Sequence, residues 1–164
     1  MKQTHMKYGF ITGLVVIAVA IILYLTGVAF KPGMNYVTYI PFLIGLILNA
    51  QEFTKANDGF VTYGNVFGSC FKATAIITLL LTAWALLSTM IFPHMMEEGM
   101  EIARQQMIKK GLTDDQIEMG LKMAKNKVFV TGIIVFATLF WGCILSLIAA
   151  AIPKKKGAAP VQNM

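Results

Sequence analysis

Four long apolar runs, each ended by charged residues, proline or glycine, constrain this chain more than any other feature. They cover residues 8–29, 36–50, 73–92 and 128–152. A bilayer core about 30 Å thick needs about 20 apolar residues in one helix, so the first, third and fourth runs are long enough alone. We therefore predict an all-α fold, an integral membrane four-helix bundle with one crossing at each run.

The second run is the weakest of the four because it is short and contains Pro41. Extending it to residues 34–53 gives a full crossing length, and neighbouring helices can satisfy the backbone carbonyl that a proline leaves free. A shallow re-entrant segment remains the alternative at this position.

The composition is that of a membrane protein. The chain has 164 residues, of which 57% are hydrophobic and 13% are charged, whereas soluble domains carry about 25% charged residues. A single membrane domain, residues 1–164, accounts for this length and leaves little room for a separate soluble enzyme. The net charge of +6 comes from lysines scattered at predicted helix ends. That pattern suits lipid headgroups and argues against nucleic acid as a partner.

Residues 93–127 form the one sizeable hydrophilic segment. Glutamates at its start precede Arg104, Lys109 and Lys110, the order that complements a helix dipole. Gly111 then ends the helix, and the stretch from Thr113 to Gln116 matches a capping box. We predict an extramembrane amphipathic helical hairpin between helices 3 and 4, whose second helix can continue into the fourth crossing.

An aromatic stripe precedes the third run. Phe60, Tyr63, Phe67 and Phe71 recur at three- and four-residue spacing. Because aromatic side chains favour the headgroup level, this stripe predicts a short interfacial helix, with an ordinary loop as the alternative.

Four crossings place both termini on the same side of the membrane. Basic residues are divided evenly between the two sides, so we use the density of lysines next to the helices. Lys154, Lys155 and Lys156 follow the last run directly, and the amino terminus precedes the first run with Lys2 and Lys7. By the positive-inside rule we predict cytoplasmic termini, with a disordered tail over residues 153–164.

Small residues recur at every fourth position within the crossings and predict packing seams between helices. Lipid provides no hydrophobic force between helices, so close backbone approach over small side chains must stabilise the bundle. The candidate helix-packing residues are Gly9, Gly13, Gly45, Thr74, Thr78, Thr82, Thr138, Gly142 and Ser146. A self-association face, or a polar pore lined by the three threonines of the third run, is the alternative use of these positions.

The sequence offers little for catalysis. Acidic and basic side chains deep in a membrane mark ion paths, and none interrupts the apolar runs. The one candidate polar cluster is Asn49, Gln51 and Glu52. His5 and His94 have no neighbouring metal ligands, and no catalytic or phosphate-binding motif occurs. We predict no enzyme activity, no metal site and no cofactor.

Several short motifs carry a resemblance to a known family. They are Lys7-Tyr8-Gly9, Gly59-Phe60 with Thr62-Tyr63-Gly64, Met96-Glu97-Glu98, residues 111–118, and Lys154-Lys155-Lys156. With these motifs the chain resembles an uncharacterised family of small four-helix bacterial inner-membrane proteins, a domain of unknown function. The resemblance implies four crossings of a bacterial inner membrane and implies no activity.

These observations lead to three functional hypotheses. The leading one is a non-enzymatic membrane protein with an accessory, scaffolding or interaction role, whose partners are the lipid bilayer and a second copy or another membrane protein. The first alternative is a small oligomeric transporter or channel. The second alternative is a membrane-surface sensor that uses residues 93–127.

Overall fold

The computed structural model describes residues 1–31 and 33–157. The regular elements in this part of the chain are all helical, which confirms the predicted all-α class: six α-helices and one short 3₁₀ turn. The elements are α1 His5–Leu25, the 3₁₀ turn Met34–Thr38, α2 Tyr39–Ala56, α3 Tyr63–Ile91, α4 Pro93–Lys109, α5 Asp114–Lys125 and α6 Lys127–Ala151.

Three of the described helices, α1, α3 and α6, are long and apolar enough to cross a membrane. The helix α2 is not among them, although the second apolar run falls within it. Its last two turns carry Asn49, Gln51, Glu52 and Lys55, which lower its hydropathy. Its first turn contains Pro41, where a missing backbone N–H is tolerated.

The helix α3 lies at the centre of the bundle. The helix α1 runs parallel to it, with Gly9 against Ala73 and Gly13 against Leu80. On its other side α6 runs antiparallel, and Ser146 contacts Thr74. The helix α2 packs across all three, while the backbones of α1 and α6 stay apart in the described part of the chain.

The two ends of the bundle gather different segments. At one end the Lys2 backbone N–H donates to Asn57 Oδ1 at 2.8 Å, and the Lys156 N–H donates to the Gly59 carbonyl at 2.8 Å. The amino terminus, the α2–α3 connection and the residues after α6 therefore meet there. We call this the terminal end, and the opposite end, where α4 and α5 lie, the far end.

The helix α2 is displaced towards the terminal end. Gly45 of α2 lies against Thr12 of α1. From this contact towards the far end, α2 continues for only six more residues, to its first residue Tyr39. At 1.5 Å per residue, α1 continues for about 10 Å past the start of α2. The described part of the connection between α1 and α2, residues 26–31 and 33–38, lies at this level.

Two boundaries differ from those expected from sequence. The aromatic stripe from Tyr63 to Phe71 is not a separate interfacial helix, because α3 begins at Tyr63 and runs unbroken to Ile91. The helix α5 does not continue into α6. Asn126 is extended between them, with ψ 105°, and its side chain accepts hydrogen bonds from the backbone N–H groups of Val128 and Phe129.

The segment after α6 is held against the bundle as far as it is described. The Lys156 ammonium lies 5.2 Å from the centre of the Phe60 ring, in addition to the backbone bond to Gly59. The rest of the predicted disordered tail, residues 158–164, lies outside the described residues.

Candidate functional site

Four of the predicted packing glycines lie where helices approach most closely. A methyl group at Gly45 would overlap Thr12, and one at Gly142 would overlap Thr74. At Gly9 it would lie 2.9 Å from the Ala73 carbonyl oxygen, and at Gly13 it would lie 2.5 Å from Leu80 Cδ1. These positions join α1, α2, α3 and α6 in the half of the bundle nearer the terminal end.

The predicted hydroxyl positions are mostly engaged within the bundle. Thr74 Oγ1 and Ser146 Oγ lie 3.2 Å apart, and Thr78 Oγ1 donates to the Thr74 carbonyl at 2.9 Å. Thr82 Oγ1 is buried and has no hydrogen-bond partner among the described residues. Thr138 is half-buried on α6. This arrangement gives a packed seam rather than an open polar stripe through a single chain.

Asn49 is the centre of a buried hydrogen-bond network and is itself fully buried. Its Oδ1 accepts from Thr4 Oγ1 at 2.7 Å, and its Nδ2 donates to Ser69 Oγ at 3.2 Å and to Cys70 Sγ at 3.6 Å. Cys70 in turn donates to the Leu46 carbonyl at 3.5 Å. One amide thus links the start of α1 and the middle of α2 to α3.

The predicted cluster of Asn49, Gln51 and Glu52 is not brought together. Asn49 faces the bundle interior, whereas Gln51 is exposed and Glu52 is half-exposed. Gln51 is two residues from Asn49 and therefore faces away from it, while Glu52, three residues from Asn49, keeps part of its side chain exposed. The partners that Asn49 does contact, Thr4 and Ser69, come from other helices, and no local sequence pattern indicates them.

A cavity of about 1510 Å³ opens at the far end, beside the connection between α1 and α2. It lies where the shortened α2 leaves room. Its walls come from α1, the connection at residues 27–31 and 33–38, the start of α2, α4 and one residue of α6. The lining residues are Ala20, Leu23, Tyr24, Gly27, Ala29, Phe30, Lys31, Gly33, Tyr36, Thr38, Tyr39, Met95, Glu98, Ile102, Gln105, Gln106, Lys109, Lys110 and Trp141.

One wall of this cavity is aromatic. The ring centroids of Tyr24 and Phe30 are 6.5 Å apart. The ring centroid of Tyr39 lies 6.4 Å from that of Tyr36 and 5.9 Å from that of Trp141. Tyrosine and tryptophan concentrate at the level where membrane and water meet, because each has an apolar ring and a polar group. The aromatic wall is therefore suited to an amphipathic ligand.

The opposite wall is one face of α4. Met95, Glu98, Ile102, Gln105 and Lys109 recur at three- and four-residue spacing, so they share the side of the helix that faces the cavity. The Cβ position of Gly99 lies 3.4 Å from the Phe30 ring, which brings α4 close to the connection.

The cavity carries more positive than negative charge. Lys31, Lys109 and Lys110 line it together with one carboxylate, that of Glu98. Among the described residues, none of these lysines lies within 4 Å of a carboxylate oxygen. The one contact between a basic side chain and a carboxylate at that distance in this part of the chain is His94 with Glu97, at 3.4 Å. Unpaired ammonium groups beside aromatic rings are a favourable environment for an anion.

Metal-binding and redox groups are sparse in the described residues. They contain no group of three or more His, Cys, Asp or Glu side chains able to hold a metal ion. Cys70 and Cys143 are both free thiols, one buried and one half-buried.

The family comparison agrees with the motifs noted in the sequence. A family model described as Protein of unknown function (DUF4199) matches residues 7–155. The chain belongs to this family. The family description carries no activity, and neither the curated proteins nor the solved structures returned a match.

Sequence reasoning did not find the cavity of this DUF4199 chain. Its lining residues come from five segments that meet only after α2 has taken its place in the bundle. The available signals were the aromatic residues between Tyr24 and Tyr39 and the basic end of α4. Neither signal alone indicates that the two segments face each other.

Proposed function

We propose that this chain is a non-enzymatic integral membrane protein that acts by binding, in an accessory or sensing role. Its binding surface is the cavity at the far end together with the face of α4 that lines it. The single observation that supports this role is the combination, in one cavity, of an aromatic wall and unpaired lysines.

We further propose four crossings of a bacterial inner membrane, with α2 as the shortest, and cytoplasmic termini. The contacts at the terminal end support the placement of both termini on one side, because the amino terminus, the α2–α3 connection and Lys156 meet there. The assignment of that side to the cytoplasm rests on the lysines that flank the first and last helices. The cavity and the pair of helices α4 and α5, proposed to be an extramembrane hairpin, then lie on the other side of the membrane.

Binding is favoured over transport on electrostatic grounds. Among the described residues, no aspartate, glutamate, lysine, arginine or histidine side chain is buried in the bundle. Coupled ion and proton transporters place such groups along their paths. Thr74 and Thr78, the polar positions nearest the middle of α3, use their hydroxyls on Ser146 and on their own helix.

Photo-crosslinking in cells tests the binding role. A photoreactive diazirine amino acid would replace Gln105, which lines the cavity. The control position is Leu79 of α3, which is 72% exposed and does not line the cavity. We expect a discrete adduct at Gln105 that mass spectrometry can identify, and only bulk-lipid adducts at Leu79. The absence of any Gln105-specific adduct would rule out the proposed role for this surface.

A further inference from the structure

We infer that the cavity holds an anionic phospholipid of the surrounding bilayer. Its headgroup phosphate would contact Lys31, Lys109 and Lys110, and its apolar part would lie along the aromatic wall. This inference rests on the binding role proposed above and names the ligand class of the same site.

The size and walls of the cavity fit such a ligand. Sites for drug-sized molecules commonly occupy about 300–1,000 Å³, and this cavity is larger, at about 1510 Å³. Ala20, Leu23 and Tyr24 line it from α1, and Trp141 lines it from α6. These helices are apolar enough to cross a membrane, so acyl chains of the bilayer can reach this wall directly.

The charge of the lining selects the headgroup. Three lysines and one glutamate leave an excess of two positive charges on the cavity wall. Basic residues near a membrane attract anionic lipids, and the unpaired ammonium groups can donate hydrogen bonds to phosphate oxygens. A zwitterionic lipid presents a phosphate too, but its own cation would lie close to these lysines.

A lipid matches the whole cavity better than a free anion does. Inorganic phosphate could contact the lysines, but it would leave the exposed part of the Trp141 ring uncovered. An anionic lipid covers both the charged and the aromatic parts. It also comes from the bilayer that contacts α1 and α6, whose apolar side chains Ile22 and Phe136 are exposed.

Trp141 provides a direct reporter. The full chain, with Trp84→Phe to leave one tryptophan, would be placed in phosphatidylcholine nanodiscs. A small fraction of the lipid would be replaced by phosphatidylglycerol with brominated acyl chains, or by equally brominated phosphatidylcholine. Bromine quenches tryptophan on contact, so we expect stronger quenching of Trp141 by the anionic lipid at equal mole fraction.

Charge-removing variants locate the binding. We expect the triple variant Lys31→Gln, Lys109→Gln and Lys110→Gln to lower the preference for phosphatidylglycerol on the order of a hundredfold. The matched control removes three exposed lysines that do not line the cavity, by Lys122→Gln, Lys125→Gln and Lys127→Gln. It should change the preference less than about threefold, since exposed charges at a distance are screened. Circular dichroism would establish that both variants retain their helices.

Each other result overturns the inference. Equal quenching by the two lipids would exclude anionic selectivity, and an equal loss in both triple variants would reduce the effect to general surface charge. Relief of quenching by millimolar inorganic phosphate, with no matching relief by sodium chloride, would identify a free anion as the ligand. If any of these occurs while Gln105 still forms its specific adduct, the lipid assignment fails and the binding role remains.

Discussion

The two halves of this bundle differ in how they use the same helices. In the half nearer the terminal end, α2 packs against α1, α3 and α6, and Gly45, Gly142 and Asn49 are buried at the contacts. In the far half, α2 reaches only as far as Tyr39, and a cavity with exposed lysines lies beyond its start. The difference arises from where one helix begins, and it separates the part that holds the fold from the part available for a ligand.

The difference between the two halves depends first on whether α2 crosses the membrane. Single cysteines would replace Lys31, Lys55 or Gln105 in a Cys70→Ala, Cys143→Ala background. We expect an all-or-none result in intact bacterial cells: a membrane-impermeant maleimide labels the cysteines at 31 and 105, and labels position 55 only after permeabilisation. The unsubstituted background should not react in either condition. Labelling of positions 31 and 55 from the same side would show that α2 does not cross.

A methyl group should be costly in the packed half and harmless in the open half. Gly142→Ala places a Cβ against Thr74, whereas Gly132→Ala, on the same helix, meets nothing within 4 Å. We expect Gly142→Ala to lower the free energy of unfolding by about 1–3 kcal/mol because the contact leaves no room. Gly132→Ala should leave it unchanged or raise it by about 0.5–1 kcal/mol, since alanine favours the helix.

Denaturant unfolding of both variants in the same mild detergent measures this difference. Equal stabilities for Gly142→Ala and Gly132→Ala would mean that the two halves are packed alike, and the comparison would then be wrong.

The smallest expected effect concerns the buried amide. A double-mutant cycle with Asn49→Ala and Ser69→Ala should give a coupling energy of about 0.6 kcal/mol, the average for hydrogen bonds between membrane helices. The cycle Gln51→Ala with Ser69→Ala is the control, because Gln51 is exposed on the other side of α2. A coupling in the control as large as that of Asn49 would contradict the network.

The apolar runs located the long helices, although α3 begins at Tyr63, ahead of the third run at 73–92. The fourth apolar run, residues 128–152, corresponds to α6 at Lys127–Ala151, because a long uninterrupted apolar stretch fixes both ends of a helix. The capping box at Thr113 and Gln116 also appears as expected at the start of α5.

The errors have local physical causes. Thr62 begins α3 with a capping box that uses Asn65 in place of the usual glutamate or glutamine, so the helix start was missed. Asn126 caps α6 and separates it from α5, whereas the spacing of apolar residues through Val128 predicts one continuous helix. The cavity depends on the displacement of α2 along the bundle, and that displacement is decided by contacts such as Gly45 with Thr12 rather than by local pattern.

The backbone hydrogen bond from the Lys156 N–H to the Gly59 carbonyl limits the order in which contacts can form during synthesis. The contacts of Gly9 with Ala73 and of Gly13 with Leu80 can form as soon as α3 has left the ribosome. The bond to Gly59 must wait until α6 and the three lysines after it have been synthesised. The contacts of the α2–α3 connection are thus completed only by nearly the last described residues of the chain.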